Sequence, residues 1–370
     1  ASKLIDEHNI AIIEAGDMQY NSKLEESFAP VFSGNEYSAA SEGRAFRFGG
    51  TTTKWSGQLI PAFNHDNQFD DFKVSSSWNF IIEKCLRYGP AVRKRLIGKS
   101  GDAKYFTFLK KGLLGEIGYK VLSSEWISPN KRNLNWLIGN KIKDSKKSHV
   151  FLNTIACNFI ELEENIVSAV RVHTNNKKYI LKAKKIIICN GTIESTRLLL
   201  GLFEKKVFKP EDLGRYLSDH VSISVGKAYD AYSSDIRAEF GPKFEGQTMR
   251  TFRFIPDKKF REGAFFINFI FDYRNNPGFD FLNGIISFIQ GQRGNFQISI
   301  KKIIPALYGL IKLAYERYFL SKLYIPKNSL IKVNIDFEQT RSYENRIKLT
   351  QKKDIYGNNK INIFWSIDDI

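Results

Sequence analysis

The sequence predicts an α/β fold in which a parallel part and an antiparallel part coexist. Two observations predict it. First, two short apolar runs end at residues that suit a ligand: "IAIIEAG", with Glu14 near its tip, and "KKIIICNG", ending in Gly191. Continuous runs of this kind read as buried parallel strands with their ligand groups at the carboxyl ends. Second, apolar and polar residues alternate through 221–229, 248–255, 264–272 and 330–338, the pattern of half-buried antiparallel strands. With 370 residues and 42% hydrophobic content, the chain can bury the cores of two domains or of one large one.

In chain order, residues 2–6 resemble the end of a helix, and 9–14 form the first parallel strand. Residues 34–64 are rich in Gly, Thr and Ser and carry Phe46, Phe48, Trp55 and Phe63, which argues for a packed functional loop. Helical spacing covers 77–97 and 103–114. Strands follow at 150–153, 155–162, 166–173 and 178–182, joined by the "EEN" and "NNK" turns of hairpins. A second parallel strand at 184–191 leads into a helix at 193–203. Alternation dominates from 221 to 272 and returns at 330–338, 346–350 and 361–365. The amphipathic helix at 303–325 has an aromatic-rich face that either covers its own sheet or lies on a membrane surface. There is no internal repeat, low-complexity tract or flexible linker.

The net charge is +17. It suits an anionic partner, or else it is drift in a composition rich in Lys, Asn and Ile. The lysines are scattered, and the densest basic stretch, "KIKDSKKS" at 141–148, reads as a solvated loop, so nucleic acid is not an expected partner. Cys85, Cys157 and Cys189 form no spaced pair. Buried thiols in a reducing compartment, hence a cytoplasmic location, are the expectation. The five histidines show no ligand spacing, so no metal site is expected. No signal peptide is visible within these residues, though one could precede an incomplete chain, and no apolar run reaches about 18 residues.

Glu14 poses a specific question. A carboxylate at such a strand tip takes ribose hydroxyls about 20 residues after a Gly-rich phosphate turn. Only 13 residues precede Glu14, and none is glycine.

Four segments bear on that question in a fixed order: "IIEAG", "GRAFRFGGTTTKWSGQLIPAF" (43–63), "KKIIICNGTIESTRLLL" (184–200) and "LGRYLSDH" (213–220). Together they resemble the glucose–methanol–choline family of FAD-dependent oxidoreductases, in its bacterial sugar-oxidoreductase and pyranose-oxidase-like branch. "EWISPNKRNL" (125–134) and "EQTRSYENRIKLTQKKDIYGNNKI" (338–361) resemble further segments of that branch. The resemblance implies a Rossmann-like FAD-binding domain with a β-meander, at 1–65 and 148–220. Interleaved with it would be an α+β substrate-binding domain on a mostly antiparallel sheet, at 66–147 and 221–370. It also implies that the phosphate loop precedes residue 1 and that the catalytic histidine lies beyond Ile370, so no catalytic residue is named within this chain.

Carried over residue by residue, Glu14 would bind the adenosine ribose, since a carboxylate accepts two hydroxyl hydrogen bonds. Arg44 would approach the adenine or phosphate side. Gly49 and Gly50 would let the backbone approach FAD. Thr51, Thr52 and Thr53 would offer donors near the pyrophosphate and flavin, and Trp55, Ser56 and Gly57 would continue the loop over the isoalloxazine. Lys54 stands where some members carry a flavin-linked histidine, which implies noncovalent FAD. Ala156 would meet adenine through its backbone, and Asn190 and Gly191 would end the strand beside the adenosine. Glu194 and Arg197 are either a structural pair or ligand contacts. Asp219 and His220 match a family motif whose role is structural. The implied activity is oxidation of a CH–OH group of a sugar or related alcohol, with an unidentified electron acceptor. The alternative is an inactive remnant that serves binding, assembly or a membrane surface.

Overall fold

The computed structural model describes residues 1–60, 76–98, 106–107, 119–163, 166–204, 210–228, 230–256, 265–272, 277–289, 303–327 and 329–367. The chain forms two compact units and passes between them four times. Unit 1 comprises Ala1–Lys54, Asn133–Ser218 and Arg341–Ile370; unit 2 comprises Trp55–Arg132 and Asp219–Thr340.

The first pass through unit 1 holds a 3₁₀ turn at Leu4–Asp6, then β1 (Ile10–Ile13), α1 (Ser22–Ser27), β2 (Val31–Phe32) and α2 (Ser38–Ser41). It ends in a second 3₁₀ turn, Gly50–Thr53. Helix α1 starts where the Asn21 side chain accepts the Leu24 N–H, an N-cap bond. The chain then builds β3 (Gln58–Leu59), α3 (Ser76–Ile97), β4 (Phe106–Thr107), β5 (Tyr119–Trp126) and α4 (Pro129–Arg132) in unit 2. It returns to unit 1 for α5 (Leu134–Lys143), β6 (Ser148–Phe151), β7 (Ile155–Glu163), β8 (Ile166–Thr174), β9 (Lys177–Lys182) and α6 (Gly191–Phe203). Unit 2 is completed by β10 (His220–Lys227), α7 (Asp230–Phe240), β11 (Lys243–Glu245), β12 (Thr248–Pro256), β13 (Phe265–Phe271), α8 (Pro277–Ile289), α9 (Ile303–Phe319) and β14 (Ile331–Glu338). The final pass adds β15 (Arg346–Lys353) and β16 (Asn359–Phe364) to unit 1.

In unit 1, β7, β8 and β9 form the expected antiparallel meander. The β8–β9 turn uses Asn175 and Asn176 at φ 48° and 57°, the left-handed pair that a two-residue hairpin requires. Strand β1 is parallel, but its partner is β6, with Ile10 opposite Ser148. The second predicted parallel strand, 184–191, is not a strand. Residues 184–190 make no ladder with any described segment, and Ile187 is 65% exposed. An apolar run becomes a strand only when neighbouring backbones take up its N–H and C=O groups, and no described strand does so for 184–190.

Two further expectations change. Residues 341–361, grouped in sequence with the substrate part, pack in unit 1. Ile347, Ile361 and Ile363 share a core with Ala40 of α2 and Ile193 and Leu200 of α6. Strand β16 also pairs in parallel with β2. Within the predicted helix 103–114, Phe106 and Thr107 pair with β5 as a strand, and the remainder lies outside the described residues. None of the three cysteines is buried: Cys85 and Cys189 are exposed and Cys157 is intermediate.

Unit 2 is built on an eight-stranded sheet of order β10-β14-β13-β12-β5-β3, with β11 on β12 and β4 on β5. Alternation aims Phe254, Phe271 and Ile331 at a core completed by Ile236 and Phe240 of α7. No described helix is long and apolar enough to cross a membrane.

Candidate functional site

The tip of β1 is fixed by backbone bonds on both sides. Glu14 N–H donates to Phe151 O, Thr154 N–H to Glu14 O and Asn153 N–H to Gly16 O, at 2.9–3.0 Å. Gly16 lies flat against Phe46 and Arg47; a Cβ there would fall 1.8 Å from Phe46 O. Phe48 N–H donates to Asp17 O at 2.9 Å, and Asp17 and Arg47 form a parallel bridge. Beneath them, Phe28 stacks on Phe46 at 4.5 Å, and Leu24, Phe28 and Ile155 form a small core against Ala15 and Cys157.

The Glu14 carboxylate is half-buried, with Oε1 accepting the Gly16 N–H at 3.0 Å. Burial pushes its pKa up, against the bonds from the Gly16 and Ala15 N–H groups.

Arg44 is committed within the protein. Its Nε donates to Ala40 O at 2.6 Å, Nη2 to Phe28 O at 2.7 Å and Nη1 to Glu194 Oε1 at 3.0 Å. Glu194 is 5% exposed and also pairs through Oε2 with Arg197 Nε at 2.7 Å. Arg197 in turn donates to Ala156 O at 3.0 Å and to Cys157 O. Glu194 and Arg197 pair with each other, and Arg44 joins the pair. Together these contacts close a circuit: β1 tip to loop, loop to α6, α6 to β7, and β7 back to the β1 tip.

Gly49 (φ 106°) and Gly50 (φ 56°) adopt left-handed backbone. A Cβ on Gly49 would meet Asn133 and Thr53, whereas none would meet anything within 4 Å at Gly50. The loop holds itself through its threonines: Thr52 Oγ1 donates to Gly49 O and accepts from Leu134 N–H, and Thr53 Oγ1 donates to Gly50 O and accepts from Arg47 Nε. Only Thr51 of the three is exposed. The Lys54 ammonium turns back to Arg44 O at 2.7 Å and lies 3.8 Å from Glu25.

The chain crosses to unit 2 after Lys54. There Trp55 Nε1 donates to Arg132 O at 2.8 Å, Ser56 is exposed, and Gly57 (φ 78°) is closed in by Arg132. At the start of α6, Asn190 provides no side-chain cap, and Gly191 (φ 74°) has open space where a Cβ would stand. In unit 2, His220 Nδ1 lies 2.8 Å from Asp219 Oδ1, on a largely exposed ring. Sequence reading missed that Arg47 and Thr53 brace each other inside the loop; the Arg-x₅-Thr spacing carries no signal until the 3₁₀ turn brings the two together.

No protein-family model matches the chain, and no curated protein matches it in sequence. Among solved structures, it is similar to pyridoxine 4-oxidase from Mesorbium loti, at 11% identity and a TM-score of 0.47, over 97% of this chain and 71% of that one. It is also similar to a fungal aryl-alcohol oxidase, at 11% identity and a TM-score of 0.44, over 98% of this chain and 75% of that one. At these values the likeness carries no weight on chemistry.

Proposed function

We propose that the chain is an FAD-dependent oxidoreductase of the glucose–methanol–choline type, acting on a CH–OH group of a sugar or related alcohol. The circuit of contacts within unit 1 supports this most directly. Four segments far apart in sequence meet there, and three of them, the β1 tip, the 43–54 stretch and α6, belong to the segments that carry the family resemblance. The residues fit the adenosine and phosphate side of the cofactor in part. Glu14 would hold the ribose hydroxyls. Gly50 and Gly191 leave room for a ligand, and the uncapped start of α6 at Asn190–Gly191 offers N–H donors to an anionic group. Arg44, Thr52 and Thr53 brace this frame from inside. Bound there, FAD supplies the two-electron acceptor for removing a hydride from the carbinol carbon. Lys54, held on Arg44 O, leaves the flavin noncovalent.

Calorimetric titration of the apoprotein tests the reading. FAD binds the wild type, and Glu14→Gln weakens it roughly tenfold to a hundredfold, the loss expected for hydrogen bonds to a charged acceptor. FMN, which lacks the adenosine, binds wild type and variant alike. Absence of FAD binding by the wild type, or equal FAD affinity for both proteins, overturns the proposal.

A further inference from the structure

Helix α9 has two apolar faces. One is packed: Ala306 and Leu313 are 5% and 6% exposed. On the same side, a Cβ on Gly278 of α8 would stand 2.7 Å from Gly309 Cα. The other face is open. Ile304, Leu307, Ile311, Tyr315, Tyr318 and Phe319 are 54–78% exposed and recur at the three- and four-residue spacing of a single stripe. Tyr315 and Phe319 stack on each other at 5.3 Å. No exposed position of the helix is acidic; its one exposed charge is Lys312.

Beside this stripe lies a cavity of about 1280 Å³. Arg237, Lys312, Lys322 and Lys327 line it, against the acids Asp272 and Glu316. Arg237 Nη2 donates to Ser233, but Nη1 is buried with no acceptor among the described residues. A buried cationic donor without a partner is costly unless an anion meets it.

We propose that α9 and this cavity dock unit 2 on an anionic phospholipid surface, with the stripe in the headgroup–acyl boundary and the cavity on a lipid phosphate. A 17-residue helix is about 26 Å long, enough to lie along the interface with one face immersed. Aliphatic and tyrosine side chains beside lysines match that boundary, apolar on one side and charged on the other. The charge separates lipid from a second copy of the chain. Two copies meeting through this face would bring Lys312, Lys322 and Lys327 against the same residues, on chains that each carry +17. An anionic bilayer meets the same groups with opposite charge.

The test is flotation with vesicles of phosphatidylcholine alone or mixed with phosphatidylglycerol. The wild type floats with the mixed vesicles and not with phosphatidylcholine alone, and high salt weakens binding. The double variant Ile311→Glu/Tyr318→Glu, on exposed positions, keeps its circular dichroism and FAD titration but no longer floats. Lys322→Gln/Lys327→Gln lowers vesicle affinity about 30-fold at low salt, from about fivefold for each cation near an anionic surface. Failure of the wild type to float on anionic vesicles overturns the proposal, as does flotation unchanged by Ile311→Glu/Tyr318→Glu. A dimer in light scattering that this variant dissolves assigns the face to a second copy instead. Protection by inorganic phosphate without vesicle binding reduces the cavity to a free-anion site. All these outcomes are read separately from FAD binding.

Discussion

At the scale of a residue, Glu14 combines a binding role with a cost. Burial holds its carboxyl above the ordinary range in the folded protein. As pH rises, the unfolded chain therefore releases this proton before the folded chain does. Stability falls as pH climbs from the ordinary carboxylate value through the raised one, and the full cost is present above it. Glu14→Gln removes that cost. The variant should melt at a higher temperature than the wild type at neutral pH, with the gap closing as pH drops below the ordinary carboxylate range. Thermal melts across pH check this, and a gap of opposite sign or one independent of pH counts against it. Opposite effects on stability and on FAD affinity are what a ligand-binding carboxylate in a partly apolar seat should show. The sequence showed the position of Glu14 through its β-branched run, but not its burial, which depends on the tertiary fold around the β1 tip.

At the scale of elements, Glu194 ties three of them together. It bridges two guanidinium groups with side-chain exposures of 7% for Glu194, 15% for Arg44 and 8% for Arg197. Removing it leaves two buried cations unpaired, so Glu194→Ala should cost about 3–5 kcal/mol in chemical denaturation. Glu344→Ala is the comparison. Its carboxylate pairs with Arg346 but is 59% exposed, and the loss should stay within about 1 kcal/mol. Equal costs would mean that the Arg44–Glu194–Arg197 cluster does not hold α6 to the loop and the meander. The meander and α6 were legible because periodicity and Asn-rich turns are local signals. The fate of 184–190 was not, because ladder partners are a tertiary property. Nor was the open face of α9, since an amphipathic pattern does not tell which face finds a neighbour, and α8 took the one bearing Ala306 and Leu313.

At the scale of the whole molecule, interleaving makes the division hard to read. Changes of pattern near 150 and 221 approximate two crossings, but the return of 341–370 to unit 1 depends on Ile347, Ile361 and Ile363 finding α2 and α6. Sequence alternation looks the same in either sheet. Division into two units does give ligands separate footprints, which hydrogen exchange resolves. FAD should slow exchange at 10–17, 46–53 and the first turn of α6, all within unit 1. For amides that exchange only by unfolding of that unit, FAD at about a hundred times its Kd should slow exchange about a hundredfold. Anionic vesicles should instead slow exchange in α9, within unit 2, and leave the unit 1 footprint unchanged. Glu14→Gln should shrink the first footprint and spare the second; Ile311→Glu/Tyr318→Glu should do the reverse. FAD protection confined to unit 2 would remove the β1 tip from the site. Vesicle protection outside α9 and its cavity would move the docking surface elsewhere.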